Sequence, residues 1–437
     1  MNFFKIYTFF LLIIGTLLAQ NWSPFHIEEL IKNRDIEIDF EDIDNQARLE
    51  PLPTLNRVNL THEIIGYLPY WEYADYIDLD YDLLTQINYF SVELDAYGNI
   101  LNDHNWTDLY LITYAHQRNV KVKLCATLFG QNELTILLSN SINRQNAINN
   151  LLELVLIQNA DGIDIDFELL PMSQRENLVI FMQELSDAFH QSMEDPIITL
   201  ATPAVDWNDA WDYNSLAQIT DGLFIMGYNY FYSGSSSAGP VSPLGGYFYD
   251  IEYSVNDYIQ KTNNQLDKII LGLPYYGYDW PVMNNLINSF TTGLGNALTY
   301  DLAHNMSQNH GYNWNDNSKS AWISYQDDLE WRQCWYDDSL SLSHKYQFAI
   351  DNEVAGIGIW ALGYDNNHNE LWGALYDKFI YSLFGDINMD GIINVVDIVF
   401  VVNMILGLES TNLLADINND AEVNVLDIIE IIFLILN

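Results

Sequence analysis

The chain predicts an α/β protein: a (β/α)8 TIM barrel with a small insertion between strands 7 and 8, and a small all-α domain behind it. Three observations point there. Eight short, apolar, β-branched runs recur along 437 residues, most of them separated by stretches of helical period. One of these runs alternates three carboxylates with three large apolar side chains. Near the C-terminus one acidic pattern occurs twice, about thirty residues apart.

The first residues read MNFFKIYTFFLLIIGTLLAQNWS. Lys5 is the only charge before a long apolar run, and the small Ala19 precedes a polar stretch. This is the pattern of a secretory signal peptide over residues 1–19, with cleavage near Ala19. The alternative is a retained membrane anchor, but the run is short for a spanning helix. Residues 20–61 are acidic, hold Pro51 and Pro53 and show little periodicity, so they read as an extended lead-in.

The barrel is expected over residues 62–382. Its strand runs are IIGYLPYW, INYFSVEL, VKVKLCATLFG, DGIDIDFE, IITLATPAV, GLFIMGYNY, IILGLPYYG and GIGIWALGY. Spacers such as SQRENLVIFMQELSDAFHQSM carry helical period. Alternating strand and helix signals argue for a parallel sheet, and eight of them for a closed barrel. An open doubly wound sheet is the runner-up, weakened because no GxGxxG follows the first strand. The last two runs lie about 80 residues apart, which leaves room for the insertion. Ser233 to Gly246 is rich in Ser, Gly and Pro and reads as a flexible lid after the sixth strand.

A formal charge of −44 argues against nucleic-acid partners and against docking on anionic lipid. It is compatible with a neutral polymer substrate and with bound divalent cations. The 49% hydrophobic content supports a sizeable core. Two cysteines, Cys125 and Cys334, lie far apart without metal-ligand spacing, and both read as buried fillers.

The chemistry concentrates in DGIDIDFE. Side chains alternate faces along a strand, so Asp164, Asp166 and Glu168 share one face and Ile163, Ile165 and Phe167 the other. Three stacked carboxylates resist ionisation together, and burial raises their pKa values further. One can then stay protonated at neutral pH while its neighbours are charged, the division a glycosidase acid needs. Barrel strands present catalytic groups at their C-terminal ends, where Glu168 stands. Other strand ends supply Trp71, Trp207, Tyr228, Tyr230, Trp280 and Trp360. Aromatic faces of this kind stack on sugar rings.

DGIDIDFE resembles the DGxDxDxE signature of family 18 glycoside hydrolases, the chitinase family, at every fixed position. The resemblance spans roughly residues 62 to 382. MGYN, Met226 to Asn229, resembles the sixth-strand Met-x-Tyr-Asp of the family. GIWALGY resembles its eighth strand and GYLPYW its first, carrying Tyr67. LPYYGYDW is similar to bacterial branches, including those acting on peptidoglycan-like glycans. The resemblance implies that Glu168 protonates the glycosidic oxygen while the substrate's own 2-acetamido carbonyl attacks C1, without a protein nucleophile. It implies that Asp166 holds the acetamido nitrogen, that Asp164 tunes Asp166 by sharing a proton, that Tyr228 donates to the acetamido oxygen, and that Trp360 floors the sugar. Tyr67, Met226, Asn229, Trp71 and Trp207 complete the expected substrate contacts, and catalysis needs no cofactor. Asn229 departs from the family's Asp; it keeps hydrogen-bonding capacity but cannot titrate.

The tail, residues 384–437, places Asp386, Asn388, Asp390, Asn394 and Asp397 at positions 1, 3, 5, 9 and 12 of a loop. Asp416, Asn418, Asp420, Asn424 and Asp427 repeat that spacing. Oxygen side chains so spaced wrap a hard cation, as in an EF-hand, and Gly391 supplies the turn at position 6. Ala421 replaces that glycine in the second copy. Asp at position 12, the doubling and the following helices resemble a type I dockerin. That resemblance implies Ca²⁺ in both repeats and a cohesin-like partner on a scaffold or cell surface.

The expectation is a secreted, retaining hydrolase of β-1,4-linked N-acetylglucosamine polymers such as chitin. The same chemistry on peptidoglycan or N-glycan cores is one alternative. A non-catalytic glycan-binding barrel is another, and a scaffold module with the barrel as cargo is a third.

Overall fold

A computed structural model describes residues 25–51, 59–380, 385–388, 391–410, 415–418, 420 and 422–436. The signal-peptide stretch, Asp390 and Ala421 lie outside the described residues.

Eight parallel strands close into a barrel: Glu63–Pro69, Gln86–Leu94, Lys121–Phe129, Gly162–Glu168, Ile197–Pro203, Gly222–Met226, Ile269–Pro274 and Gly356–Trp360. Closure is made by the first strand, which pairs with both the second and the eighth. The fourth strand carries the carboxylates, and all seven of its residues are buried. Its Gly162 is required by close approach: a Cβ there would stand 1.9 Å from the Ile197 carbonyl oxygen on the fifth strand. The barrel floor is filled by Phe224, and a Cβ on Gly358 would lie 1.8 Å from its ring. Tyr67 stacks edge-on against Phe224 at 4.8 Å, so the interior is layered side chains rather than a pore.

The outer layer follows the amphipathic pattern. Helix Arg175–Ser192 buries Leu178, Phe181, Met182, Leu185 and Phe189, one stripe at helical spacing. Phe181 meets Phe167 of the fourth strand at 5.3 Å, so the apolar face of that strand points outward while its acids point in. Asp212, Asp250 and Asp338 each accept a backbone N–H at a helix start, as short acidic caps do. After the first strand a 3-10 segment, Tyr70–Ile77, stands where a barrel helix would be.

Between the seventh and eighth strands lies the expected insertion. Five antiparallel strands run in the spatial order Asn296–Thr299, Tyr276–Val282, Glu330–Tyr336, Ser320–Asp327 and Asn313–Asn315, with helix Tyr300–His310 against them.

Two sequence expectations change. The lead-in is not simply extended: it holds helices Phe25–Asn33 and Phe40–Ala47. Both carry apolar residues that pack on the core, and Asp39 caps the second, although the stretch is too short for periodicity to stand out. The Ser233–Gly246 stretch is not a loose lid. Ala238 donates its N–H to Ser289, Leu244 to Ser318, and the Ser242 hydroxyl donates to the Gly227 carbonyl at 2.5 Å. Small residues let this loop lie flat against the insertion, where its backbone groups find partners.

The C-terminal region forms its own small core of Ile387, Val401, Ala415, Ile417 and Ile431, under helices Val395–Ile405 and Val425–Leu436. Among the described residues no helix is long and apolar enough to cross a membrane.

Candidate active site

The fourth strand delivers its acids to three depths. Asp164 is lowest and fully buried. Its Oδ2 accepts from the Tyr67 hydroxyl at 2.7 Å and its Oδ1 from Thr199 Oγ1 at 2.5 Å. Thr199 in turn accepts from Lys123 Nζ at 2.6 Å. Burial pulls the Lys123 ammonium down to about 8, although Asp164 pulls it back up. Asp164 is thus bonded to Tyr67 and Thr199, and no hydrogen bond joins it to Asp166 among the described contacts. Its influence on Asp166 runs through space.

Asp166 sits above it, fully buried, with its carboxyl raised by burial and by the charge of Asp164. Glu168 tops the column, and burial followed by the charge of Asp166 pushes it up to about 7. A carboxyl so held is half protonated near neutrality, the condition for a general acid.

Tyr228 and Trp360 close the site from the sixth and eighth strands. Trp360 is fully buried, and its indole N–H has no hydrogen-bond partner among the described residues. The peptide bonds Phe90–Ser91 and Trp360–Ala361 are cis. Phe90 stands edge-on to Trp360 at 4.8 Å, and Trp71 edge-on to Phe90 at 5.9 Å. Tyr276 and Tyr278, the first residues of the insertion sheet, make the opposite wall. Asn229 adopts a left-handed backbone, which Asn tolerates, and its Oδ1 accepts from Tyr276 at 2.7 Å. Met226 ends the sixth strand, half-buried.

The structure brings Glu168, Asp166, Asp164, Tyr228, Trp360, Tyr67, Trp71, Met226 and Asn229 to one mouth of the barrel. Trp207 is 65% exposed and stands edge-on to Tyr249. Trp280 is buried in the insertion, donating to the backbone of Tyr232 and Ser233, and Tyr230 bonds Ser254. Both serve packing.

Sequence reasoning missed the group that occupies the centre of this site. His26, from the first N-terminal helix, is 1% exposed. Its Nδ1–H donates to Asp166 Oδ2 at 2.8 Å and lies 3.2 Å from Glu168 Oε1, while Nε2 lies 3.0 Å from the Tyr228 hydroxyl. The ring stacks on Trp360 with centroids 3.8 Å apart. Burial opposes a charge on this ring, but the two carboxylates outweigh it together, and its pKa rises to about 10. Phe25 stacks on Tyr276 at 4.0 Å. No local signal in the lead-in marks these two residues.

His26, Asp166 and Glu168 lie close enough to hold a metal ion, as do His304, His368 and Glu370. The first set is satisfied by its own charges. In the second, Tyr300 donates to Glu370 at 2.9 Å and His368 meets Asp301 at 2.9 Å.

In the C-terminal region, Asp397 accepts backbone N–H groups from Ile387, Asn388 and Asn394, and Asp427 accepts from Ile417, Asn418 and Asn424. Each closes its loop in the same way. Asp386, Asp397 and Asp427 are fully buried, yet residues 379–437 contain nine carboxylates and no Lys, Arg or His. Buried carboxylates in a stretch whose sequence supplies no cation of its own fit an external one.

The profile of "Glycosyl hydrolases family 18" matches residues 63–365, and that of "Dockerin type I domain" matches residues 384–436. The Cortical fragment-lytic enzyme of Bacillus subtilis is 26% identical over 348 residues, covering 77% of this chain and 75% of its own. Human Di-N-acetylchitobiase is 26% identical over 315 residues, covering 62% and 77%. The crystal structure of Ostrinia furnacalis Group IV chitinase superposes with a TM-score of 0.65 at 20% identity, over 72% of this chain and 99% of that one. The chain belongs to glycosyl hydrolase family 18 and is a chitinase-like glycoside hydrolase with a C-terminal type I dockerin domain.

Proposed function

We propose that the protein is a secreted, retaining hydrolase that cleaves β-1,4-linked N-acetylglucosamine polymers with help from the substrate's own acetamido group. One observation carries this reading. Asp166 and Tyr228 converge on a single small planar group above Trp360, at 2.8 Å and 3.0 Å. An acetamido group offers an N–H and a carbonyl to two such partners.

In this mechanism Glu168 gives its proton to the glycosidic oxygen as the C1–O bond breaks. The acetamido oxygen bonds C1 and forms a cyclic oxazolinium ion, whose N–H faces Asp166. Tyr228 donates to the acetamido oxygen and orients it. Water then attacks C1, Glu168 takes a proton from it, and the ring opens to restore the acetamido group. Two displacements at C1 retain configuration. Asp164, pinned by Tyr67 and Thr199, acts on Asp166 only at a distance, where its charge holds the Asp166 carboxyl up, and it keeps the column in place. Burial around Asp166 and Tyr228 strengthens both contacts.

The name of the Bacillus subtilis relative favours a second reading, the same chemistry on a cortical or peptidoglycan-type glycan. A product profile on chitin oligosaccharides, peptidoglycan and N-glycan cores tests both. Chitin fragments as the main product support the first reading, and muropeptide release alone supports the second. No cleavage of any acetamido-glycan contradicts both.

The C-terminal domain would bind one Ca²⁺ per repeat through Asp386, Asn388, Asp390, Asn394 and Asp397, and through Asp416, Asn418, Asp420, Asn424 and Asp427. Its helices leave Val395, Val399, Leu406, Val425, Ile429 and Phe433 more than two-fifths exposed, an apolar face suited to a cohesin-like protein. That would attach the enzyme to an extracellular scaffold or cell surface.

A further inference from the structure

We propose that helix Phe25–Asn33 is an intramolecular inhibitor, and that its His26 ring stands in the place of the oxazolinium ring formed during cleavage. This rests on the reaction proposed above.

The likeness is chemical and positional. An oxazolinium ion is a planar, cationic, five-membered ring with one N–H. The His26 imidazolium matches its shape and charge and presents an N–H to Asp166, while its second N–H faces Tyr228 where the oxazolinium has its ring oxygen. Its Nδ1–H meets Asp166 at 2.8 Å, its second nitrogen meets Tyr228 at 3.0 Å, and its face covers Trp360 at 3.8 Å. A sugar on Trp360 and the His26 ring cannot be present together. Phe25 extends the blockage by stacking on Tyr276, and it stands edge-on to Trp360 with centroids 6.4 Å apart.

The rest of the segment is built to hold this pose. Glu29 accepts from the Tyr364 hydroxyl at 2.5 Å, and Tyr364 accepts from the Trp71 indole at 3.3 Å. The Tyr70 hydroxyl donates to the Asn33 carbonyl at 3.1 Å. The second helix is the anchor. Its buried Asp44 accepts from Tyr73 at 2.6 Å, from Tyr76 at 2.9 Å and from the Tyr110 backbone at 2.9 Å. Residues 34–39 between the helices are mostly exposed and supply the hinge. A short tether holds the plug at millimolar effective concentration, and substrate affinity falls by the fraction of time the site is closed.

The test uses the full chain. Phe25→Ala/His26→Ala should raise kcat/KM on chitotetraose at least tenfold, mainly through a lower KM. A peptide of residues 25–36, FHIEELIKNRDI, should inhibit that variant competitively, and its Ala-Ala form should not. Where the wild type turns over, an unchanged or lower kcat/KM in the double variant overturns the proposal, and a lower one would make His26 a working part of the site. Labelled-peptide anisotropy separates the two readings. If the double variant binds the peptide, and Asp166→Asn added to it weakens that binding, the plug stands even where no glycan is cleaved. If glycans are cleaved but the peptide does not bind, the plug fails and the reaction stands.

Discussion

The Tyr67 hydroxyl donates to Asp164 Oδ2 at 2.7 Å, joining the first barrel strand to the lowest acid of the fourth. Tyr67 reaches no reacting atom, so it is a positioning residue. Tyr67→Phe should lower kcat roughly tenfold, about 1.4 kcal/mol of barrel-held alignment, with KM nearly unchanged. A shift of the pH profile should accompany it, which a purely structural role would not produce. An unaltered kcat contradicts this role.

Glu168 must be protonated to act. Burial and the charge of Asp166 hold it up to about 7, while the His26 cation pulls it down. The rate should therefore fall as pH rises past a limb at 7 or somewhat above, since substrate displaces His26. Asp166→Asn removes a raising charge, so it should move that limb to lower pH besides slowing turnover. Initial rates from pH 4 to 10 decide the point; a limb that stays put argues against the coupling.

Tyr228→Phe removes the donor to the acetamido oxygen and leaves the ring in place. A loss of about 10²-fold in kcat is expected, the usual effect of one transition-state donor. Urea unfolding of the variant should match that of the wild type, and an accompanying loss of stability would argue for a general packing defect.

Lys345 and Asp337 form a fully buried ion pair in the barrel wall. Lys345→Met leaves a buried carboxylate without its cation and should cost about 3–5 kcal/mol. Lys345→Met/Asp337→Leu should recover much of that. Urea unfolding of the four chains tests it; a single-variant cost under about 1 kcal/mol contradicts the buried-pair account.

Calorimetry on the full chain should detect Ca²⁺ sites that are lost in Asp386→Ala/Asp416→Ala. Chelation should also melt helices Val395–Ile405 and Val425–Leu436, because the buried carboxylates then repel without a cation. Circular dichroism with and without chelator reads this, and helix content independent of Ca²⁺ goes against it.

The barrel and its acids were legible because their signals are local. DGIDIDFE states its own alternation, and each strand run is bounded by its own turns. The repeat spacing of the tail is equally local. Trp280 misled because a strand-end position does not say which way a side chain faces. Tyr276 and Tyr278 escaped notice because they reach the mouth only once the insertion folds back. His26 lies 140 positions before Asp166, and nothing near it in sequence announces that pairing. The packed Ser233–Gly246 loop shows that small residues permit close backbone docking as readily as motion.

The central claim is that Glu168 drives cleavage assisted by the substrate's acetamido group. Proton NMR of chitotetraose digested by the full chain, read before mutarotation, tests it directly. The account predicts the β-anomer first, and a loss of at least 10³-fold in rate for Glu168→Gln with oligosaccharide binding retained. The α-anomer first, or Glu168→Gln with near wild-type turnover, would contradict it.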